Sequence, residues 1–284
     1  MNYAHNRWKY IRVQRLINIW MAKAYRTTSS KALRMMTGMT PIILKLEEVV
    51  KRYTINRGRG NCTTELDHDV EFQYWPHLAE VVTIKEVVGY DETSVQAYTD
   101  GSKHDKWVGS GAAIFVGGML EAQIKIKLDK RCSNNQAEQL AMLKDLEAIN
   151  SLTKHTVNPR TATVFTDSRV SLDSLRNPNN HVYLVEEIRK MVAILEKCEW
   201  KIMFSWVKAH TGNYGNELAD RLAKDPARID GIHHKYSRIP KSTLYYETSE
   251  ETKQKLQDEW TTCNKAAATK QFFCKCTRQA KDKI

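Results

Sequence analysis

The 284-residue chain has no apolar run long enough to cross a bilayer. Leu16 to Ala22 is short and interrupted, and Met1 to Tyr10 lacks the apolar centre of a secretory leader. Neither secretion nor a membrane anchor is expected; intracellular residence, nuclear or cytoplasmic, is. Cysteine rhythm is also missing. Cys62, Cys132, Cys198, Cys263, Cys274 and Cys276 follow no disulfide framework, and the Cys274-x-Cys276 pair has neither a C-x-x-C partner nor a His at ligand spacing. A disulfide scaffold and a zinc module are thereby excluded, leaving reduced thiols. No internal repeat or low-complexity run occurs, so arrays and solenoids are excluded as well.

What the chain has is basic charge, unevenly placed. The net charge is +11 with a pI near 9.3. Residues 1–60 carry 13 Lys and Arg against 2 Asp and Glu, whereas 61–94 carry 1 against 8. The middle, 95–226, is nearly balanced at 18 against 16, and 227–284 is basic again at 12 against 7. Basic flanks around a neutral centre suit a polyanionic partner such as nucleic acid, bound less tightly as salt rises.

Four regions follow from the patterning. Residues 1–56 read as a helical segment: Val13, Leu16, Ile17, Trp20 and Ala24 recur at helical spacing between Asn6 and Arg26, with Arg7, Arg12, Arg15, Lys23 and Arg26 among them. A second helix is expected from Ser29 or Ser30 to Gly38, and a third after Thr40-Pro41. Residues 57–94 read as an acidic linker opening on a Gly and Arg run, with Trp75 and Pro76 packing on a neighbour. Residues 227–284 form a basic tail with one helix expected over Ser249 to Ala268.

The organised part is 95–226. Val95 to Thr99 alternates as a strand ending at Asp100; Gly111 to Val116 is a small-residue strand; Gly117-Gly118 signals a hairpin; Leu120 to Leu128 alternates again. Asn134 to Leu152 is helical, Ala162 to Thr166 is a strand ending at Asp167, and two helices follow, the first stopping at Asn177-Pro178. A last strand, with Trp200, Ile202, Phe204 and Trp206 on one face, enters a Gly-punctuated loop carrying His210, then a short helix capped by Asn216 and bearing Asp220. This order predicts an α/β fold, a mixed five-stranded sheet flanked by helices.

Asp100, Glu138, Asp167 and Asp220 each stand on or at the edge of an expected element. Crowded carboxylates raise one another's pKa unless cations neutralise them, so a convergent quartet predicts a divalent ion. Oxygen ligands without Cys or His clusters favour magnesium or manganese over zinc. Two such ions can activate water and stabilise a leaving oxygen in phosphodiester cleavage. Singly, each acid has a plainer reading: Asp100-Gly101-Ser102 as a turn, Asp167-Ser168 as a helix cap, Glu138 and Asp220 as solvated helix residues, His210 as a loop histidine. Trp107 and Trp206 read as core or wall residues.

Five blocks in order change the balance: Tyr98-Thr99-Asp100-Gly101-Ser102, the Gly-Ser-Gly-Ala-Ala strand from Gly109, Asn134-Asn135-Gln136-Ala137-Glu138, Phe165-Thr166-Asp167-Ser168, and Trp206 to Asp220. Together they resemble type-1 ribonuclease H domains. The resemblance implies hydrolysis of the RNA strand of RNA:DNA hybrids, with Asp100, Glu138, Asp167 and Asp220 holding two Mg2+ (or Mn2+) and His210 assisting water or product release. It implies that Asn134, Asn135 and Gln136 contact the hybrid backbone and 2′-hydroxyls and that Ser168 touches a phosphate. Cellular members often carry a basic residue where Gln136 stands, and the Trp-rich basic protrusion of some members has no counterpart.

The Trp206-Val207-Lys208-Ala209-His210-Thr211-Gly212 form, with Gly215-Asn216-Glu217, is similar to domains in the Pol polyproteins of non-LTR retrotransposons. There a stretch like Ala24 to Pro41 follows the reverse transcriptase. No Tyr-x-Asp-Asp polymerase signature occurs. The likeness thus implies a C-terminal fragment of such a polyprotein, a reverse transcriptase domain as partner, and a first helix left over from the polymerase. A non-catalytic nucleic-acid-binding module that keeps the fold is the alternative; an integrase or transposase would lack the Asn-Asn-Gln-Ala-Glu block.

Overall fold

The computed structural model describes residues 3–57, 66–70, 79, 82–85, 95–152, 160–225, 236–263 and 267–273. In chain order the elements are α1 (Tyr3–Met21), α2 (Ser30–Thr37), α3 (Ile42–Asn56), β1 (Ile84–Lys85), β2 (Val95–His104), β3 (Trp107–Val116), β4 (Met119–Leu128) and α4 (Asn134–Leu152). They continue as β5 (Thr161–Thr166), α5 (Arg169–Arg176), α6 (Tyr183–Lys197), β6 (Lys201–Trp206), α7 (Tyr214–Lys224), α8 (Lys241–Thr261) and α9 (Ala267–Phe272). The chain divides into two units, one of residues Met1–Thr63 with Leu244–Ile284, the other of Thr64–Thr243.

The first unit is helical. Ser29 caps α2 by accepting from the Lys31 N–H, and Gly38 ends it at φ 65. The side of α1 turned inward is polar: Gln14 and Asn18 are buried, and the Gln14 amide donates to the Thr40 carbonyl at 2.7 Å and accepts from the Ile42 N–H at 2.9 Å. The apolar stripe faces out, with Trp20 82% exposed and Leu16 66%. Helical periodicity located the helix, but the pairing of its amides with the α2–α3 turn decides which face turns in. Against α8, Lys51 pairs with Glu251 at 2.6 Å and Arg52 donates to Thr248 at 2.7 Å. The tail helix begins at Lys241, eight residues before the expected Ser249, and stops at Thr261.

In the second unit the sheet runs β1-β6-β5-β2-β3-β4, with β2, β3 and β4 antiparallel and β5, β6 and β1 parallel to β2. The five expected strands are joined at the β6 edge by β1, a two-residue strand too short to leave a periodicity. Gly117 and Gly118, at φ 56 and 79, make the tight β3–β4 hairpin. One sheet face packs on α4, α5 and α6 through Leu140, Leu146, Leu175, Ile188 and Phe204; the other packs on α7 through Tyr98, Phe115, Phe165, Leu218 and Leu222. Trp200, Ile202, Phe204 and Trp206 share the first face, as their alternation predicts.

Two local expectations need correction. Asp100 does not end its strand: β2 continues to His104, pairing with β3 as far as Trp107, because Gly101 and Ser102 find ladder partners in Ser110 and Gly109. The α7 cap is Asn213 rather than Asn216: its side chain accepts from the Asn216 N–H, so the helix starts at Tyr214. The Gly and Arg run beyond Arg57, and Trp75 and Pro76, lie outside the described residues.

Candidate active site

Asp100 on β2, Glu138 on the first turns of α4 and Asp167 just beyond β5 come together, each offering a carboxylate oxygen within 4.8 Å of the others. The parallel pairing of β2 with β5 sets Thr99 beside Thr166, which brings the next residues, Asp100 and Asp167, to one end of the sheet. Glu138 reaches them because Gly101 lets α4 approach: a Cβ on Gly101 would meet the Glu138 backbone nitrogen at 2.7 Å. Asp220 comes from the opposite face on α7, whose backbone lies directly on β3; a Cβ on Gly111 would meet the Ala219 carbonyl and the Ala223 nitrogen at 2.3 Å.

Burial and mutual charge dominate the electrostatics. The Asp100 carboxyl is pushed up to about 8, first by burial, then by the charge of Asp167 and by hydrogen bonding and charge from Asp220, against which the Gly101 N–H donates at 2.8 Å. Glu138 is pushed well above the carboxylate range by burial and then by Asp100 and Asp167. Asp167 is raised chiefly by burial; hydrogen bonds from the backbone and from the Asn216 side chain, and the nearby His210 imidazole, oppose the rise. Asp220 is partly exposed, and both its oxygens pair with Lys224.

This donor set fits a divalent cation. Among the described residues the buried Glu138 Oε2 has no hydrogen-bond partner, while Oε1 accepts from the Asn134 amide at 3.4 Å. An orphaned carboxylate oxygen beside two further acids is the arrangement that a hard cation, through all-oxygen coordination, relieves. The ligands would be Asp100, Glu138 and Asp167, with Asp220 beside them.

The other expected site residues divide by orientation. Asn134 and Asn135 are exposed at the start of α4, whereas Gln136 is 3% exposed and turned inward. Its Nε2 donates to Asp67 Oδ2 at 2.7 Å and to the Arg238 carbonyl at 3.1 Å. Ser168 caps α5, its Oγ accepting from the Ser171 N–H and donating to the Ser171 hydroxyl at 2.9 Å. His210 stands exposed at φ 51 in the loop before α7.

Two residues near the cluster were not singled out for it by the sequence. Asn216, 3% exposed, holds Asp167 by a side-chain hydrogen bond. Trp206 donates its indole N–H to the Asp167 carbonyl at 3.0 Å, and the Arg169 guanidinium lies 4.0 Å over its ring. The Asn213-x-x-Asn216 spacing is the available signal for Asn216: where two cap-type residues compete, one caps and the other is free to turn inward.

Comparison with known proteins bears on the same region. Residues 92–228 match the family model described as RNase H. A ribonuclease HI of Synechocystis sp. is 30% identical over 146 residues, covering 46% of this chain and 85% of that protein. A ribonuclease H of Francisella philomiragia is 27% identical over 157 residues, covering 46% and 90%. Among solved structures, the N-terminal RNase H domain of a Mycobacterium tuberculosis protein, fused to maltose-binding protein, aligns over 46% of this chain and 96% of that chain, at 24% identity and TM-score 0.37.

Proposed function

This chain belongs to the ribonuclease H family, and from that premise we propose that it is a type-1 enzyme, an endonuclease cutting the RNA strand of RNA:DNA hybrids. The observation that carries the reading is the cluster of buried Asp100 and Glu138 with half-buried Asp167, in which one Glu138 oxygen has no partner among the described residues. Asp220 completes the proposed ligand set for two Mg2+ or Mn2+ ions. Bound there, the ions would supply an activated water and charge stabilisation for the departing 3′-oxygen.

The residues of the chain do the rest. Asp100, in the middle of β2, has Glu138, Asp167 and Asp220 as neighbours. Trp206 and Asn216 keep Asp167 aimed inward through its backbone carbonyl and side chain. Exposed Asn134 and Asn135 offer amides to the backbone and 2′-hydroxyls of a hybrid. His210, on an exposed loop, is assigned a part in assisting the water or product release. Ser168 is assigned a phosphate contact, which requires its hydroxyl to release Ser171.

The catalytic domain is assigned to residues 95–226, between an acidic linker at 57–94 and a basic tail at 227–284. The motif form around His210 supports descent from a non-LTR retrotransposon polyprotein, with residues 1–56 derived from the region after its reverse transcriptase and that enzyme as a partner.

The test is a labelled hybrid incubated with the full chain across a magnesium titration. RNA-strand cleavage leaving 3′-hydroxyl and 5′-phosphate ends is expected. Asp100→Asn should abolish cutting while hybrid binding in calcium persists. Binding by the unaltered chain without cleavage in either magnesium or manganese would leave only a binding module.

A further inference from the structure

Gln136 has every hydrogen-bonding position of its side chain in use. It closes a reciprocal cap on α4: the Gln136 N–H donates to Ser133 Oγ at 3.2 Å, and the Ser133 N–H donates to Gln136 Oε1 at 2.9 Å. Its two amide hydrogens then go outward from the helix, one to the Asp67 carboxylate and one to the Arg238 carbonyl. Neither Asp67 nor Arg238 lies within the family-matched residues 92–228.

Those two partners belong to segments that are themselves pinned. Leu66 pairs with Ile239 in a parallel bridge, and the Asp67 N–H donates to the Ile239 carbonyl at 2.9 Å. Tyr236 pairs with Leu128, its carbonyl accepting from the Asp129 N–H at 3.0 Å, and the Thr243 hydroxyl donates to the Arg131 carbonyl at 3.1 Å. Leu66 and Ile239 are buried, and Asp67 is 7% exposed. The loop that leads into α4 is thus gripped from two sides of the sequence, and the grip reaches the helix through one amide.

We infer that residues 66–70 and 236–243 form a clamp on the first turn of α4, in which Asp67 and Gln136 are positioning residues for the hybrid-reading Asn134 and Asn135. The inference rests on the proposed ribonuclease H activity for the identity of the substrate. An amide spent inward at Gln136 gives the hybrid no charge at that position, so recognition falls to the placement of its two exposed neighbours. The functional unit accordingly extends to both flanks.

The experiment compares the full chain with Asp67→Ala, Asp67→Asn and Gln136→Met. Three quantities are read: hybrid Kd in calcium, KM and kcat in magnesium, and amide hydrogen exchange over residues 133–138 without nucleic acid. Asp67→Ala and Gln136→Met should raise Kd and KM about tenfold, leave kcat within about twofold, and speed exchange in the turn. Asp67→Asn keeps an acceptor oxygen and should stay near the unaltered chain. Unchanged exchange and Kd in both Asp67→Ala and Gln136→Met would overturn the clamp, as would an Asp67→Asn as impaired as Asp67→Ala. If Asp67→Ala fails to fold, Gln136→Met decides the matter. A chain that binds hybrid without cutting it refutes the enzyme reading, yet Kd and exchange still test the clamp; a chain that binds no hybrid refutes the positioning role.

Discussion

Lys224 holds both carboxylate oxygens of Asp220, at 2.6 and 2.7 Å, one helical turn beyond it on α7. The fourth acid therefore carries a built-in cation, whereas among the described residues no Lys or Arg pairs with the other three. A divalent ion recruiting Asp220 has to displace that ammonium. An exposed pair of this kind is worth roughly 0.2–1 kcal/mol, so Lys224→Met should lower the magnesium concentration for half-maximal cleavage by about two- to fivefold. A magnesium titration of the variant, beside calorimetric manganese binding, checks it; a higher magnesium requirement would mean that Lys224 helps rather than competes.

Gly111 lets α7 rest its backbone on β3, and Asp220 rides on that contact. Gly111→Ala is expected to destabilise the fold by about 1–3 kcal/mol through overpacking, and to depress kcat at temperatures where the variant is fully folded. Gly118→Ala is the control: its φ of 79 is strained for alanine, but among the described residues no atom lies within 4 Å of its added Cβ, so stability should fall while kcat holds. Denaturant midpoints and steady-state kinetics of the pair separate the two outcomes.

Asp145 lies on α4 with 0% exposure, and among the described residues neither of its carboxylate oxygens has a hydrogen-bond partner. Burial alone drives its pKa well above the carboxylate range. The folded value exceeds the unfolded one, so its contribution to stability is fully present below the unfolded value of about 4 and is lost as pH rises through the folded value. Asp145→Asn cannot ionise. It should equal the unaltered chain near pH 4 and exceed it by a margin that grows as pH rises above that value. Urea unfolding across that range measures the gap, and a gap that does not widen with pH would show the carboxyl to be paired.

His210 stands in the exposed loop before α7, close enough to Asp167 to lower its pKa when charged. His210→Ala should slow steady-state turnover by about 10²-fold without abolishing it, and should leave hybrid Kd in calcium unchanged. Single-turnover and multiple-turnover rates distinguish chemistry from release. An unaltered steady-state rate would remove the histidine from the mechanism.

The second unit was legible in the sequence to the extent that a local rule governed each piece. Alternation located β4 and β6, the Gly117-Gly118 pair located the hairpin, and Asn134 to Leu152 marked α4 to the residue. The three acids that share one cluster are legible because each stands in a motif with its own backbone consequence. Long-range partners left less trace. That Gln136 turns toward Asp67, 69 residues away, depends on two flanking segments with no periodicity of their own. From sequence Asn216 reads as a cap, because nothing local reveals that Asn213, three residues earlier, takes that role. The inverted α1 has the same cause: its apolar spacing is plain, but its orientation is decided by amide bonds to Thr40 and Ile42.

The pairing of Leu66 with Ile239 brings the entrance and exit of the second unit side by side, while the first unit is assembled from both ends of the chain. In topological terms the sheet-bearing unit is an insertion, whole in itself, within a helical host. During synthesis α1 to α3 emerge before α8, about two hundred residues earlier, and wait for it before their ion pairs can close. The guest can therefore fold before its host, and removing it with a short joining turn should leave the host's helices free to find one another.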